Sequence, residues 1–262
     1  MKHWVSMHSK VFKHKTIDIK KKILDIAYTS GRAHLGGIFS VLEILVALKY
    51  QFPFIEIFLG KGHAALGLYV ILNDLGKLTN DELESYCKNG SKFGIQLFPG
   101  IAENRLLTGS LGNVIGIATG VSIANKLNND EKLVCAIIGD GECEEGSVWE
   151  SIDFIVKNQI KNVLIIVDRN RLSVMREFEN DRLEEKILGF GIPCKVIDGH
   201  NFEEIITTIE DVSITGISCV LLCDTIKGKG ISFMENDVKW HHGHLTEELY
   251  QQAKLELDGF TG

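Results

Sequence analysis

The pattern of apolar and polar residues changes partway along the chain. Up to about residue 130, apolar residues recur at intervals of three and four, which is the spacing of one face of an α-helix. This spacing predicts helices at Thr16–Thr29, Ser40–Tyr50, Ala64–Leu75 and Leu111–Leu127. The later part of the chain contains short, unbroken apolar runs rich in β-branched residues, which are typical of strands buried on both faces. These runs are Leu133–Ile138, Val163–Val167, Cys194–Ile197 and Cys219–Cys223.

Helical stretches separate the predicted strands, at Ser147–Lys157, Arg182–Leu188 and Phe202–Ile209. Strands that alternate with helices indicate parallel strands joined by right-handed crossovers. The sequence therefore predicts an α/β fold, with a doubly wound, mostly parallel sheet flanked by helices, in a single domain over residues 1–262. In such sheets, ligands bind beyond the carboxyl ends of the strands.

Composition and charge narrow the class of protein. Hydrophobic residues make up 45% and charged residues 24% of the chain, as in globular proteins, which excludes disorder, coiled coil and collagen. The net charge of −7 gives no reason to expect nucleic acid or an anionic membrane as a partner. Residues 1–22 depart from this balance, because they contain seven lysines and a single acid, Asp18. We expect a basic, solvated helical segment over about residues 1–30.

Targeting signals and metal-type cysteine motifs do not appear in the sequence. No run approaches the roughly 18 apolar residues that span a membrane, and no apolar core of a signal peptide follows the basic start. The six cysteines form no CxxC motif, and three of them lie in apolar, strand-like runs. We therefore expect a reduced, cytoplasmic protein. The chain contains 26 glycines and only 3 prolines, which indicates tight turns and close backbone approaches.

Polar residues follow two consecutive predicted strands. Gly139-Asp140-Gly141 comes directly after the first, where a glycine N–H can approach a phosphate and a carboxylate can bind Mg²⁺ or Ca²⁺. Asn170 follows the next strand, and neighbouring parallel strands lie about 4.8 Å apart, so Asp140 and Asn170 can reach one cation. A diphosphate would complete its coordination. The alternative is structural: a tight turn at Gly139-Asp140-Gly141, Asn170 as a turn former and Asp168 as a helix cap.

Gly139-Asp140-Gly141 and Asn170, about thirty residues apart, resemble the fingerprint of thiamine-diphosphate enzymes. The sequence around them resembles the transketolase family. The resemblance runs from about Ser30 to His242. The segments that carry it, in family order, are SGRAHLGGIFS (Ser30–Ser40), GKGHAALGLY (Gly60–Tyr69), TGSLGNVIGIATG (Thr108–Gly120), GDGECEEGSVWESIDF with NVLIIVDRN, IDGHN (Ile197–Asn201), TIKGKGISFME (Thr225–Glu235) and WHHG (Trp240–Gly243).

The resemblance implies a role for each matching residue. The metal ligands would be Asp140, Asn170 and the Leu172 carbonyl, holding Mg²⁺ with Ca²⁺ or Mn²⁺ as possible substitutes. The cofactor, thiamine diphosphate, would be bound by Gly139, Asp140, Gly141, Glu142 and Asn170, by Gly109, Ser110 and Leu111 on its pyrimidine side, and by His63 and His242. The catalytic residues would be His34, His63 and His242. His242 is preferred to His241 because it directly precedes Gly243.

Two acidic residues and a row of glycines also match the family. Glu145 and Glu150 correspond to acids that connect paired active sites across a dimer interface in the family. A simpler explanation for Glu145 is that it complements a helix dipole. Gly112, Gly116 and Gly120, spaced by four, are predicted to mark a close contact between a helix and another backbone, which is packing rather than catalysis.

The sequence departs from the family pattern at two segments. Tyr50–Leu59 is shorter than the family's corresponding segment, lacks its Asp-Arg pair and is unusually apolar, so we expect it to contact a partner. Phe93-Gly94-Ile95-Gln96 stands where the family has Gly-His-Pro, whose histidine touches the donor sugar. The resemblance therefore implies intact cofactor chemistry but leaves the usual sugar-phosphate donor in question.

The length of 262 residues corresponds to one domain of a complete transketolase, the diphosphate-binding domain. The resemblance therefore implies the amino-terminal subunit of a split transketolase. A separate carboxyl-terminal subunit with the pyrimidine-binding domain would complete it in an α2β2 assembly, which would transfer a two-carbon ketol unit from a ketose or ketose phosphate to an aldose. Alternatives are a related enzyme of specialised metabolism using pyruvate or a modified sugar, and a non-catalytic cofactor-binding half. A generic nucleotide-binding Rossmann domain fits poorly, because no GxGxxG follows a strand.

Overall fold

The computed structural model describes residues 2–101, 105–172 and 182–259, with side chains from residue 9 onward. The helices of the described residues are, in chain order, α1 (Lys2–Ser30), α2 (Leu35–Gln51), α3 (Ala65–Asp74), α4 (Asn80–Glu84), α5 (Val114–Leu127), α6 (Gly146–Lys157), α7 (Leu183–Gly189), α8 (Phe202–Thr215) and α9 (Glu247–Gly259). The strands are β1 (Glu56–Leu59), β2 (Val134–Gly139), β3 (Val163–Arg169), β4 (Cys194–Asp198) and β5 (Cys219–Asp224).

The chain divides into two compact units. The helical unit comprises Met1–Lys49, Gly62–Gly109 and Ile226–Gly262, and the sheet unit comprises Tyr50–Lys61 and Ser110–Thr225. The single domain over residues 1–262 remains a prediction. The basic segment expected at the start of the chain belongs to α1, which is a helix from Lys2 to Ser30.

The sheet unit is built on five parallel strands in the order β1-β2-β3-β5-β4. This order confirms the predicted α/β fold with a parallel sheet, and the four strands expected from the apolar runs are all present. The central strand β3 is buried along its whole length, as an unbroken apolar run requires. Because all strands run in one direction, the polar residues that follow β2, β3, β4 and β5 leave the sheet at the same edge.

Strand β1 is the element that the hydrophobic pattern did not reveal. It lies inside Tyr50–Leu59, the segment expected to contact a partner. Ile55, Phe58 and Leu59 are at most 2% exposed, and β1 pairs with β2 from Glu56 to Leu59. The partner-contact prediction is therefore wrong for most of this segment, whose apolar residues supply an edge strand and its packing. Phe54 is the exception, with 57% of its surface exposed.

The helical unit packs around α2, which is buried from Leu35 to Lys49. Helix α3 approaches α2 at Gly67, where an added Cβ would lie 2.9 Å from Ile38 Cγ2. Helix α9 packs on α1: the rings of Tyr28 and Tyr250 stack with their centroids 4.4 Å apart. The Tyr250 hydroxyl also donates to Asp25 Oδ1 at 2.6 Å.

Cys135, Cys219 and Cys223 lie in strands, as the apolar runs around them predict. All six cysteines are free, and Cys135, Cys219 and Cys223 are buried in the sheet. Burial raises the pKa of the Cys223 thiol well above its usual value, which makes the thiol unreactive. Among the helices that the structure describes, none combines the length and the apolar character needed to cross a membrane.

We expect Leu164→Ala in the centre of β3 to destabilise the fold strongly. Leu164 is fully buried, so truncation removes apolar burial and leaves a cavity, at a cost of about 3 kcal/mol in the free energy of unfolding. Ile214→Ala is the matched control, because Ile214 is 83% exposed and its loss should cost less than about 0.5 kcal/mol. Urea denaturation of both variants measures the difference. Equal effects would show that β3 is not the centre of the core.

Candidate functional site

The sheet unit brings the predicted metal ligands together. Asp140 begins a 3₁₀ helix directly after β2, and residues 168–172, called the metal loop below, lie at the end of β3. The two segments meet through hydrogen bonds, because Arg171 N donates to Asp140 Oδ2 at 2.6 Å and Gly141 N donates to Asp140 Oδ1 at 2.8 Å. Asn170 Oδ1 accepts from Leu172 N at 3.1 Å. Asp140, Asn170 and Leu172 are all at most 8% exposed.

The chemistry of these groups fits a hard cation. A carboxylate, an amide oxygen and a backbone carbonyl are the ligands that Mg²⁺ and Ca²⁺ prefer. Burial, together with the nearby charge of Asp168, raises the pKa of Asp140 from 3.8 to about 6. A bound divalent cation would offset both effects, because it favours the ionised carboxyl group. The site therefore holds a carboxylate whose charge is poorly balanced by the protein alone.

Asp168 is fully buried, and its charge is balanced within the sheet unit. Lys61 forms an ion pair with Asp168 Oδ2, and the Thr225 hydroxyl donates to Asp168 Oδ1. Lys61 is 2% exposed and Thr225 7%. The alternative that Asp168 caps a helix is wrong, since the residue belongs to β3. Lys61 and Thr225 were not predicted from the sequence, although Lys61 lies in the quoted GKGH segment.

Glu142 has a clear structural task beside the predicted cofactor residues. Its two carboxylate oxygens accept backbone hydrogen bonds from Gly112 N at 3.1 Å and from Gly139 N at 3.0 Å. The side chain is 3% exposed, and burial raises its pKa. Gly60 leaves room for it, because a Cβ there would lie 2.6 Å from Glu142 Oε1. Glu142 therefore joins the ends of three segments, and a direct contact with a cofactor remains a prediction.

The helical unit gathers four histidines. The ring centroid of His34 lies 5.3 Å from that of His63, 5.3 Å from that of His241 and 4.2 Å from that of His242. His34 is buried, His241 is half-buried and His242 is exposed. The three predicted catalytic histidines are thus neighbours. His241, the less favoured match in the sequence, belongs to the same cluster.

Two glycines at the start of α2 make this cluster possible. A Cβ at Gly37 would lie 2.8 Å from His63 Nε2, and a Cβ at Gly36 would lie 2.8 Å from the Trp240 carbonyl oxygen. Any side chain at these positions would displace the ring or the backbone beside it. The Gly-Gly pair in SGRAHLGGIFS is therefore explained by close packing around the histidines.

His34 carries an unsatisfied polar atom. Its Nδ1 is buried and has no hydrogen-bond partner among the described residues. Burial, with His242 and Lys227 nearby, lowers the pKa of His34 to about 4, so the ring is neutral at neutral pH. Buried polar atoms without partners are uncommon and are concentrated at functional sites. This nitrogen is a candidate contact for a ligand.

The charge around the histidines favours an anion. Ring nitrogens of His34, His241 and His242 lie within 4.8 Å of one another, which by itself would suit a transition metal. However, Lys227 Nζ lies 3.3 Å from His241 Nδ1, and Lys227 is 2% exposed. A buried ammonium group repels a cation and attracts a negatively charged group. Lys227 was given no role from the sequence, although TIKGKGISFME contains it.

The predicted pyrimidine-side residues lie in a loop that crosses from the helical unit to the sheet unit. In the helical unit, Thr108 Oγ1 donates to Gln96 Oε1 at 3.3 Å and accepts from Leu97 N at 3.0 Å. Gly109 has φ +123°, a value that glycine adopts without strain. In the sheet unit, Ser110 and Leu111 are exposed. Their contact with a cofactor remains a prediction.

The two predicted interface acids are exposed on the sheet unit. Glu145 occupies the N-cap position of α6, where an acidic side chain complements the helix dipole, as in its simpler explanation, although it makes no capping hydrogen bond. Glu150 lines an open groove between α5 and α6 with Gly116, Gly120 and Phe154. Gly112 and Gly116 do lie against α6, where added Cβ atoms would approach Ser147 and Ser151. An added Cβ at Gly120 would meet no described atom within 4 Å, so the close contact predicted there is wrong within the described residues.

The parallel sheet flanked by helices defines an α/β protein, and the predicted metal ligands lie at the carboxyl edge of its sheet, where such proteins bind ligands. The family described as 1-deoxy-D-xylulose-5-phosphate synthase matches residues 3–180. The chain is 30% identical over 258 residues to an apulose-4-phosphate transketolase subunit of Phocaeicola vulgatus, with 91% of this chain and 90% of the relative covered. It is also 30% identical to a 6-deoxy-6-sulfo-D-fructose transketolase subunit of a Clostridium species, over 94% of this chain and 95% of that relative.

Solved structures agree with these matches. The transketolase of Campylobacter jejuni superimposes with a TM-score of 0.85 at 22% identity, covering 94% of this chain. The chain spans 43% of the length of that transketolase. The chain belongs to the transketolase family and corresponds to its amino-terminal domain. This confirms the resemblance, and membership of this family implies an enzyme subunit, thiamine diphosphate and a divalent metal.

We expect Asp140→Asn to flatten the pH dependence of stability of the metal-free protein. Because the folded-state pKa of about 6 exceeds the ordinary value of 3.8, the stabilising effect of the proton on Asp140 is complete below about pH 4 and is lost as the pH rises through 6. The variant should reduce this loss by about 2 kcal/mol. Urea denaturation at pH 4.5 and 7 without divalent cations measures it.

The control for this experiment is Asp153→Asn, at an exposed acid of α6 that pairs with Lys157 in the next turn. Its stability curve should run parallel to that of the natural protein. If the curve of Asp140→Asn is also parallel, the burial and repulsion assigned to Asp140 are incorrect.

Proposed function

We propose that this chain is the diphosphate-binding, amino-terminal subunit of a split transketolase, which transfers a two-carbon ketol unit from a ketose to an aldose together with a separate carboxyl-terminal subunit. The observation that carries this proposal is the oxygen set of Asp140, Asn170 and Leu172 at the carboxyl edge of the sheet. It occurs in a chain that aligns over about nine-tenths of its length with a relative named as one subunit of a transketolase.

The metal is proposed to be Mg²⁺, with Ca²⁺ or Mn²⁺ as substitutes, held by Asp140, Asn170 and the Leu172 carbonyl. Gly139 and Gly141 would present backbone N–H groups to the diphosphate of thiamine diphosphate. When bound, thiamine diphosphate supplies the electron sink needed to break a carbon–carbon bond next to a carbonyl group. The protein's part is to fix the metal and diphosphate and to exclude water from the reacting atoms.

The histidines are proposed to act on the substrate and the anionic end of the cofactor. His34 is neutral at neutral pH and has an Nδ1 without a partner among the described residues, so it can exchange a hydrogen bond or a proton with a substrate hydroxyl group. Lys227, whose Nζ lies 3.3 Å from His241 Nδ1, adds positive charge that suits a diphosphate. His63 and His242 are proposed to contact the diphosphate and to flank the reacting carbon.

The partner is proposed to be a carboxyl-terminal transketolase subunit carrying the pyrimidine-binding domain, in an α2β2 assembly. Relatives named as single subunits of transketolases support a second chain. The exposed Glu145 and Glu150 are proposed to lie at the dimer interface across which paired active sites are connected. The groove beside Glu150, lined also by Gly116, Gly120 and the half-exposed Phe154, offers an open surface that a second copy could cover. The six free cysteines support a cytoplasmic location.

The donor is proposed to be a ketose or ketose phosphate that differs from the usual one. Two relatives are named for apulose 4-phosphate and for 6-deoxy-6-sulfo-D-fructose. In place of the family's Gly-His-Pro, this chain has Phe93-Gly94-Ile95-Gln96. The Gln96 side chain lies beside Gly62, where an added Cβ would be 2.0 Å from Gln96 Oε1, and it is hydrogen-bonded to Thr108. Gln96 is therefore a candidate for the missing polar contact to the donor.

Co-expression of this chain with its proposed partner tests the function. The purified pair is assayed with thiamine diphosphate, Mg²⁺ and a panel of ketoses, ketose phosphates and pyruvate. Two-carbon transfer from a sugar supports the proposal, and transfer from pyruvate alone supports the specialised alternative. Cofactor binding without turnover of any donor points to a non-catalytic half.

Asp140→Ala should abolish Mg²⁺-dependent binding of thiamine diphosphate, because it removes the charged ligand of the cation. We expect affinity to fall by more than about a hundredfold. Quenching of tryptophan fluorescence on titration with the cofactor measures it in the two-subunit complex. Asp153→Ala, on the exposed side of α6, is the control and should bind normally. Unchanged cofactor affinity in Asp140→Ala would remove the metal assignment.

Gln96→Ala should raise the KM for the sugar donor by about tenfold through the loss of one polar contact, while the affinity for thiamine diphosphate changes less than about twofold. Steady-state kinetics with the donor found in the panel separates the two effects. Gln252→Ala is the control, since Gln252 lies on α9 and bonds to Glu256. A normal donor KM in Gln96→Ala would mean that another residue recognises the donor.

A further inference from the structure

The metal loop contains a strained residue between two of the predicted ligands. Arg171 has φ +58°, in the left-handed region that side chains with a Cβ adopt at a cost. It lies between Asn170 and Leu172, and its backbone N–H is the group that donates to Asp140 Oδ2. Left to itself, a residue with this strain would relax to negative φ, which would rotate both neighbouring peptide groups.

One carboxylate opposes that relaxation. Asp224, at the end of β5, accepts hydrogen bonds on Oδ1 from Arg169 Nε at 2.6 Å and from Arg171 Nη2 at 3.0 Å. The register of the sheet places Asp224 directly beside Arg169, so its position is set by the pairing of β3 and β5. The two arginines flank Asn170, and Asp224 therefore holds the metal loop on both sides of a predicted ligand.

We propose that Asp224 is a positioning residue for the divalent cation: by binding Arg169 and Arg171 together, it keeps the metal loop in the strained shape that directs Asn170 and Leu172 toward Asp140. The inference rests on the proposed function for the identity of the site. It concerns a residue outside both the proposed cation ligands and the histidine cluster.

The free energy by which Asp224 favours the strained loop is small, but it is sufficient to hold that conformation. Exposed ion pairs contribute little to overall stability, and the Arg171 side chain is about half exposed. Asp224 has only to favour one of two conformations of the metal loop, however. The strain energy of one left-handed residue is comparable to the energy of one such ion pair. The Arg169 side chain is 9% exposed and needs a charged partner, which anchors Asp224 firmly enough to act on Arg171.

The test measures Mn²⁺ affinity, as a spectroscopic substitute for Mg²⁺, in the two-subunit complex with saturating thiamine diphosphate. Asp224→Ala should weaken Mn²⁺ binding about fivefold to tenfold, as read by electron paramagnetic resonance. The double variant Asp224→Ala with Arg171→Gly should restore affinity to within about twofold, because glycine adopts φ +58° without needing the carboxylate.

A second double variant separates strain from charge. Asp224→Ala with Arg171→Gln removes the same positive charge as the glycine variant but keeps a Cβ at the left-handed position, so it should stay weak. Asp153→Ala is the distant control, with unchanged affinity. Thermal unfolding of each variant shows whether a loss of Mn²⁺ affinity follows a loss of stability. The recovery of affinity in the double variant with Arg171→Gly should occur without a matching recovery of stability.

Four results would overturn the inference. Normal Mn²⁺ affinity in Asp224→Ala would show that the loop keeps its shape unaided. Equal rescue by glycine and glutamine at position 171 would show that Asp224 acts through its charge alone, and failure of both rescues would show a general structural role. If the natural complex binds no Mn²⁺ with the cofactor, the metal assignment itself is wrong and this inference falls with it.

Discussion

The parallel pairing of β2 with β3 is the constraint on which the proposed metal site depends. In this register Gly139 lies opposite Asp168, so both strands end at the same level and their following loops emerge side by side. The backbone of one loop can then bond directly to the carboxylate of the other, as Arg171 N does with Asp140. A shift of one residue would turn every buried side chain of the strand to the opposite face, so the packing of the sheet itself fixes the geometry of the site.

The two buried carboxylates at this edge of the sheet differ in how far their charge is balanced. Asp168 is fully buried and fully balanced, by Lys61 on one oxygen and Thr225 on the other. Among the described residues, Asp140 receives only two backbone N–H groups, and its pKa rises to about 6. The balanced carboxylate stabilises the edge, whereas the unbalanced one is retained at some cost to the metal-free protein. Such a cost is expected where a residue serves binding rather than folding.

The sequence predicted what depends on local pattern and overlooked what depends on distant partners. Four strands were evident because each is an unbroken apolar run, but β1 has four residues, follows Pro53 closely and carries too short a signal. Asp140 and Asn170 were found because a strand end marks each of them. Lys61 was not, because its partner Asp168 lies 107 residues away and only the folded sheet brings the two together.

Both units contain a buried group that the described residues leave incompletely satisfied. In the sheet unit it is the Asp140 carboxyl group, and in the helical unit it is Nδ1 of His34. The first favours a nearby positive charge and the second a hydrogen-bond partner. A divalent metal, which membership of the transketolase family implies, would supply positive charge at the Asp140 carboxyl group. Each group is costly to bury within its own unit, and such costs are typical of residues that are retained for binding rather than for stability.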